Sequence, residues 1–147
     1  MHTDLTNLTV TQGASIRDAI AHVDQNRQGI VLVVDDQRRL EGTITDGDLR
    51  RAVLANTSLD EPVRVLLDRK AESSYARPVT APDSSDRATL LRLMQEHSIR
   101  HIPLVDEEQQ VVALATLEDF LSEQKPSQLQ AVVMAGGYGR RLRPLTE

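Results

Sequence analysis

Gly42-Thr43-Ile44-Thr45-Asp46-Gly47-Asp48 and Ala113-Leu114-Ala115-Thr116-Leu117-Glu118-Asp119 carry one pattern twice: a small residue, a hydroxyl three positions later, and a carboxylate three positions after that. The two stretches lie 71 residues apart, and the same shift sets Val34-Asp35 on Val105-Asp106. Self-similarity at a fixed shift marks repeated structural units.

Working outward from the first copy, residues 40–45 read as a strand and the polar run 35–39 as a turn. Residues 30–34 are wholly apolar and rich in β-branched side chains, as in a buried strand. Before them Ile16, Ala19, Ile20 and Val23 recur at helical spacing, and Gly29 closes that stretch. After them Asp46-Gly47-Asp48 opens a helix to about residue 55, with acids at its positive end. The second copy repeats the order. Residues 82–86 lead into a helix bearing Leu90, Leu91, Leu93 and Met94, followed by a strand at 101–105, a turn at 106–110, a strand at 111–116 and a helical turn or two at 117–122. Each half therefore reads helix-strand-strand-helix, a mixed α/β (α+β) architecture. Between the halves a short helix is expected from about residue 59 to 67, then a polar loop over 68–76. A half of about 60 to 70 residues buries little core alone, so the two are expected to pack together.

The 147 residues are 39% hydrophobic and 27% charged, the balance of a globular domain. Aromatic residues make up 2%, which removes the stacking faces that single-stranded nucleic acid needs, and the net charge of −5 disfavours any polyanion partner. Cysteine is absent, so disulfides and thiolate metal sites are excluded. No apolar run approaches the roughly 20 residues that span a bilayer, and Met1-His2-Thr3-Asp4 does not open a signal peptide. A cytoplasmic protein with no nucleic-acid or membrane partner is expected.

The repeated motif resembles the Gly-hydrophobic-x-Ser/Thr-x-x-Asp signature of CBS domains, over roughly residues 8 to 123, with Ala113 departing from the glycine. The resemblance implies tandem CBS repeats, residues 1–67 and 68–123, packed as a pseudo-twofold pair. It implies clefts for an adenosine ligand: AMP, ADP, ATP or S-adenosylmethionine. It also implies association into a homodimer through the CBS pairs. The residue chemistry suits such a ligand. Asp48 and Asp119 can each accept hydrogen bonds from both ribose hydroxyls. Thr45 and Thr116, at strand ends before helix N-termini, suit a phosphate. Both acids are equally suited to capping their helices. Ala113 is expected to narrow the approach to the second cleft.

Phosphate also calls for cations. Arg50 and Arg51 follow Asp48 on its helix, where a solvated helix face is the competing role. In modules of this kind, basic residues before the Pro-containing strand contact phosphate, which carries over to Arg100 and His101 in Arg100-His101-Ile102-Pro103-Leu104-Val105-Asp106. No second His or acid lies at metal spacing from His101, so no metal site and no catalytic group is expected in these repeats. Replacing Asp48 or Asp119 by Ala is expected to weaken nucleotide binding without unfolding.

Beyond residue 123 the pattern changes. Residues 124–130 read as a linker, and residues 131–147 contain Ala135-Gly136-Gly137-Tyr138-Gly139-Arg140-Arg141-Leu142-Arg143-Pro144-Leu145-Thr146. That string resembles the N-terminal signature of sugar-1-phosphate nucleotidyltransferases (mannose-1-phosphate guanylyltransferase-like), Arg140 being a mild departure. The resemblance implies NDP-sugar synthesis. Gly136, Gly137 and Gly139 would bring backbone N–H groups to the nucleoside triphosphate, and Arg141 would neutralise the leaving pyrophosphate. Mg²⁺ would be held by downstream acids that lie beyond Glu147. The chain is thus expected to be a piece of a longer enzyme, with residues from about 126 onward lacking their sheet. Residues 128–147 hold three Arg and one Glu, a net +2 that leaves −7 on the remainder. The expected function is a regulatory adenine-nucleotide sensor. The alternatives are a structural dimerisation module without ligand, and an enzyme in the full-length protein.

Overall fold

The computed structural model describes residues 1–73 and 76–121. The expected linker, the nucleotidyltransferase signature with Gly136, Gly137, Gly139 and Arg141, and the end of the last helix lie outside the described residues.

The chain order is β1 (Thr9–Thr11), α1 (Ile16–Asn26), β2 (Ile30–Val34), β3 (Leu40–Thr45), α2 (Asp46–Leu54), α3 (Arg64–Lys70), β4 (Ala81–Pro82), α4 (Arg87–Glu96), β5 (His101–Val105), β6 (Val111–Thr116) and α5 (Leu117–Leu121). Two three-stranded sheets form, ordered β1-β2-β3 and β4-β5-β6, the first pair in each parallel and the second antiparallel. Each half therefore gains a short leading strand that the sequence reading lacked, because three residues and two are too short to show alternation. The middle helix also differs: it starts at Arg64 and runs through Lys70, into what was read as loop.

The 71-residue shift reaches into the hydrogen bonding. Ile30 pairs with Thr45 and His101 with Thr116, and the register slips between Val33 and Val34 and again between Leu104 and Val105. Positive φ recurs at Arg27 and Ser98, and at Arg38 and Gln109. The shared Val-Asp pair has a local cause. Asp35 Oδ1 accepts from the N–H groups of Gln37 (2.8 Å) and Arg39 (2.9 Å), and Asp106 Oδ1 does the same for Glu108 and Gln110, both at 2.9 Å. Each acid thus ties its own hairpin turn.

The core has three parts. Val31, Val33 and Ile44 turn one face of the first sheet onto Ile16, Ala19, Leu49 and Leu66 of the helices. Ile102, Leu104, Ala113 and Ala115 do likewise against Leu90, Met94 and Phe120. Alternate residues go the other way. Ile30, Leu32 and Val34 meet Val105, Val111 and Leu114 in a layer between the sheets, closed by Leu5 and Leu8. With period-two alternation, β2 is buried on both faces, which explains its unbroken apolar run. Arg39 forms an isolated bridge with Gln110, its own counterpart under the 71-residue shift. A position that meets its own equivalent lies on the twofold relating the units, so the halves form a pseudo-twofold pair.

Among the described residues no helix is long and apolar enough to cross a membrane.

Candidate functional site

At the end of β3, Thr45 is the N-cap of α2: its Oγ1 accepts from the Asp48 N–H at 3.3 Å. Asp48 Oδ2 in return accepts from the Thr45 N–H (2.9 Å) and hydroxyl (2.8 Å), completing a capping box. The same oxygen takes Lys70 Nζ at 3.1 Å, and Arg51 reaches Oδ1 at 2.6 Å. Lys70 also donates to the Thr43 carbonyl at 3.0 Å. Burial pushes the Asp48 carboxyl up, but the Thr45 donors and the Lys70 charge outweigh it and hold the group below the ordinary carboxylate value. The carboxylate is thus ionised and fixed in place. The Thr45 hydrogen is committed to Asp48, so Thr45 orients the acid rather than presenting a donor to phosphate.

Asp48 and Thr45 line a cleft of about 390 Å³. One wall is apolar, made by Ile30, Pro78, Val79, Ile99 and Pro103, and the cations Arg51, Lys70, Arg77 and Arg100 border it together with His101. The volume is in the range of small-molecule sites. The sequence-selected Thr45, Asp48, Arg51, Arg100 and His101 are all brought to this one cleft. Arg50 is not: it pairs with Asp46 on the exposed side of α2, the solvated role. Arg100 pairs with Glu118 across exposed surface.

Lys70, Arg77 and Thr43 were missed. Lys70 was assigned to a loop, yet it follows Leu66 by four residues and Leu67 by three, so a continued helix sets it on their inward face. Arg77 gave no periodic signal.

Thr116 and Asp119 lie on a second, smaller cleft of about 300 Å³, with His2, Arg27, Gln28 and Glu118. Thr116 donates to Asp119 Oδ2 through its N–H (2.8 Å) and hydroxyl (2.9 Å). The Met1 ammonium stands 2.5 Å from Asp119 Oδ1. Burial raises the Asp119 carboxyl, and the ammonium and Thr116 donors outweigh that rise to leave it lowered.

Ala113 does not border this cleft; it is buried against the helices. The reason for glycine in the first copy is packing. A Cβ at Gly42 would lie 2.7 Å from Leu67 Cδ2 of α3. The difference between Gly42 and Ala113 therefore concerns what covers the strand, not the width of the ligand's approach.

His101 is partly buried, and burial holds its imidazole below the ordinary value near 6.5 against the opposing pull of the Gln28 backbone. The unfolded chain then binds the proton more readily. The stability from neutral His101 is present above about pH 6.5 and is lost as pH falls toward the folded value. Asp48, with a lowered value, adds its own loss only below about pH 4. The melting temperature should therefore decline already between pH 7 and 5, and His101→Gln should flatten that segment. An unchanged slope in the variant would remove His101 as its source.

Among the described residues no group of three or more His, Asp or Glu is placed to hold a metal ion.

The family described as CBS domain matches residues 1–55 and 73–125. Arabinose 5-phosphate isomerase GutQ of Escherichia coli is 31% identical over 107 residues, which is 73% of this chain and 31% of the isomerase. The chain thus spans about a third of the length of that relative, which is an isomerase and not a nucleotidyltransferase. A CBS domain protein from Pyrobaculum aerophilum, solved with AMP, superposes with a TM-score of 0.68 at 23% identity, covering 80% of this chain and 85% of that one. A CBS domain pair solved with 5′-methylthioadenosine and S-adenosyl-L-methionine gives a TM-score of 0.66 at 22% identity, covering 78% and 88%.

Proposed function

The chain belongs to the CBS domain family, and from that premise we propose that it is a sensor of adenine nucleotide, in the cytoplasm, that regulates an attached enzyme. The observation carrying this reading is the Asp48 cleft, where an ionised acid and four cations face an apolar wall. Adenine lies on the apolar wall, the ribose hydroxyls donate to Asp48, and Arg77 and Arg100 take phosphate. The neighbour solved with AMP supports a ligand of this class. Thr116 and Asp119 form the equivalent, smaller cleft. The two repeats divide near residue 67.

The attached enzyme in this reading is a sugar-1-phosphate nucleotidyltransferase making an NDP-sugar, supported by the Ala135 to Thr146 signature. The isomerase relative is also a sugar-phosphate enzyme by name. Regulation then requires that ligand bind two states of the whole protein unequally. A purely assembling role is the second reading, favoured by the exposed Val53 and Leu54 of α2 and Leu121 of α5, which suit a second copy.

Calorimetric titration with AMP, ADP, ATP and S-adenosylmethionine tests the sensor. Micromolar binding by any of the four is expected, and Asp48→Asn should weaken it about tenfold or more, the cost of a lost charged acceptor. Silence from all four would leave the assembling role.

A further inference from the structure

We propose that the groove between α2 and α3 is a further ligand site, separate from both clefts, and that it takes a small dianion, either a phosphate group or a short dicarboxylate. The sensor reading of the Asp48 cleft neither requires nor supplies this site.

The groove encloses about 440 Å³, with Ala52 and Leu66 as its apolar lining and Arg51, Arg69 and Lys70 around it. Its single acid is Asp48, which Lys70 and Arg51 already meet at 3.1 and 2.6 Å. Three cations against one carboxylate leave two positive charges in excess. Lys70 is committed to Asp48 and to the Thr43 carbonyl. The excess therefore rests on the two arginines. Arg51 is 72% exposed, and an ion pair so open to water leaves its guanidinium able to turn to a second anion.

Arg69 borders this groove and neither cleft. It is exposed and has no acid partner among the described residues, since the neighbouring Asp68 faces Arg64 instead. It is nonetheless held in place. Its Nη1 donates to the Thr57 hydroxyl at 2.6 Å. Thr57 is itself buried, and its N–H donates to the Ala52 carbonyl at 3.0 Å after Asn56, at φ 53°, turns the chain past the end of α2. A neutral hydroxyl thus fixes one nitrogen of the guanidinium and leaves its charge unmatched. The remaining N–H donors suit the paired oxygens of phosphate or carboxylate. Cations in the last turn of a helix also favour that end, and Arg69 and Lys70 stand there in α3. That role needs neither the Thr57 anchor nor Arg51 on the facing helix. An excess of two charges matches a dianion, and a phosphate ester carries close to two negative charges at neutral pH.

The test is a proton–nitrogen NMR titration of the protein with inorganic phosphate and with succinate, the ionic strength held constant with chloride so that screening does not change. At least one probe should shift the amides of Ala52, Thr57 and Arg69 to saturation at low millimolar concentration, and which one does so names the anionic group. Arg69→Gln, which can still bond Thr57, should weaken that probe about tenfold, the cost of a lost charged donor. Arg64→Ala removes a cation of the same helix outside the groove and should leave the binding as it was. Shifts that never saturate with either probe, shifts confined to Val79 and Ile99 of the Asp48 cleft, or equal affinity in Arg69→Gln each overturn the groove site. A lower melting temperature in Arg69→Gln without any such binding overturns it too, and leaves Arg69 with the helix-end role alone. No nucleotide enters the test, so the sensor reading stands or falls separately.

Discussion

Asp48→Ala is expected to cost about 3 kcal/mol of folding stability, whatever it does to ligand, because it strands a buried ammonium. The Lys70 and Asp48 side chains are only 16% and 12% exposed. Without Asp48, Lys70 Nζ keeps one partner, the Thr43 carbonyl. Removing one member of such a pair leaves a charge poorly hydrated and unmatched, typically a loss of about 3–5 kcal/mol. The reciprocal cap of α2 goes as well, usually about 1 kcal/mol. We take the lower end because the Lys stem can swing its head toward water. The double variant Asp48→Ala/Lys70→Met should recover part of the loss, since it removes the stranded charge. Urea unfolding of the two single variants and the double gives the coupling. A loss under 0.5 kcal/mol for Asp48→Ala would show that this pair contributes nothing to the fold. Asp48→Asn, which keeps the shape, serves if Asp48→Ala cannot be recovered folded. The Lys70 contact adds an expected stability cost to the loss of binding that the sequence leads one to expect.

Leu114→Ala should be still more damaging, about 4 kcal/mol, and should lower the whole protein in one transition. Leu114 is fully buried in the layer between the sheets, with Leu32 and Ile30 from the other half around it. Its loss opens a cavity whose walls belong to both halves, and the ladder with β5 on one side and the bridge to His2 on the other limit collapse. Folded domains hold only about 5–15 kcal/mol in total, so this is a large share. The same truncation at Leu121, which is 55% exposed, should lie within about 0.5 kcal/mol of zero. Two separated unfolding steps in Leu114→Ala, or a change under 1 kcal/mol, would contradict a shared core.

What the chain disclosed in advance follows from how strongly each feature is constrained. The strands β2, β5 and β6 were legible because double burial forces apolar runs, β3 because it runs from a polar turn to a helix start, and the turns because Asp35 and Asp106 fasten them. The Thr45 to Asp48 and Thr116 to Asp119 spacing was legible as a helix start, and in both copies hydroxyl and carboxylate do bind each other. Their relation to a cleft was only half readable. Arg50 and Arg51 are adjacent in sequence, but one helical step of about 100° sends Arg51 to the cleft and Arg50 to solvent. Lys70 stayed hidden because its role depends on α3 passing over Gly42, a tertiary contact that no local pattern records. Leu67 against Gly42 likewise explains a glycine whose motif position had suggested ligand clearance.

The bridge between Arg39 and Gln110 closes the two repeats as a symmetric dimer would close, yet both partners belong to one polypeptide. In an assembly of identical subunits every substitution is made twice, so the paired clefts must change together. Here a codon changed in one repeat leaves the other untouched. One cleft is bordered by Lys70 and Arg77 while the other is bordered by Arg27 and Glu118, and dilution cannot separate them. A tethered symmetry of this kind frees the two halves to diverge, each cleft keeping its own charge and its own neighbours.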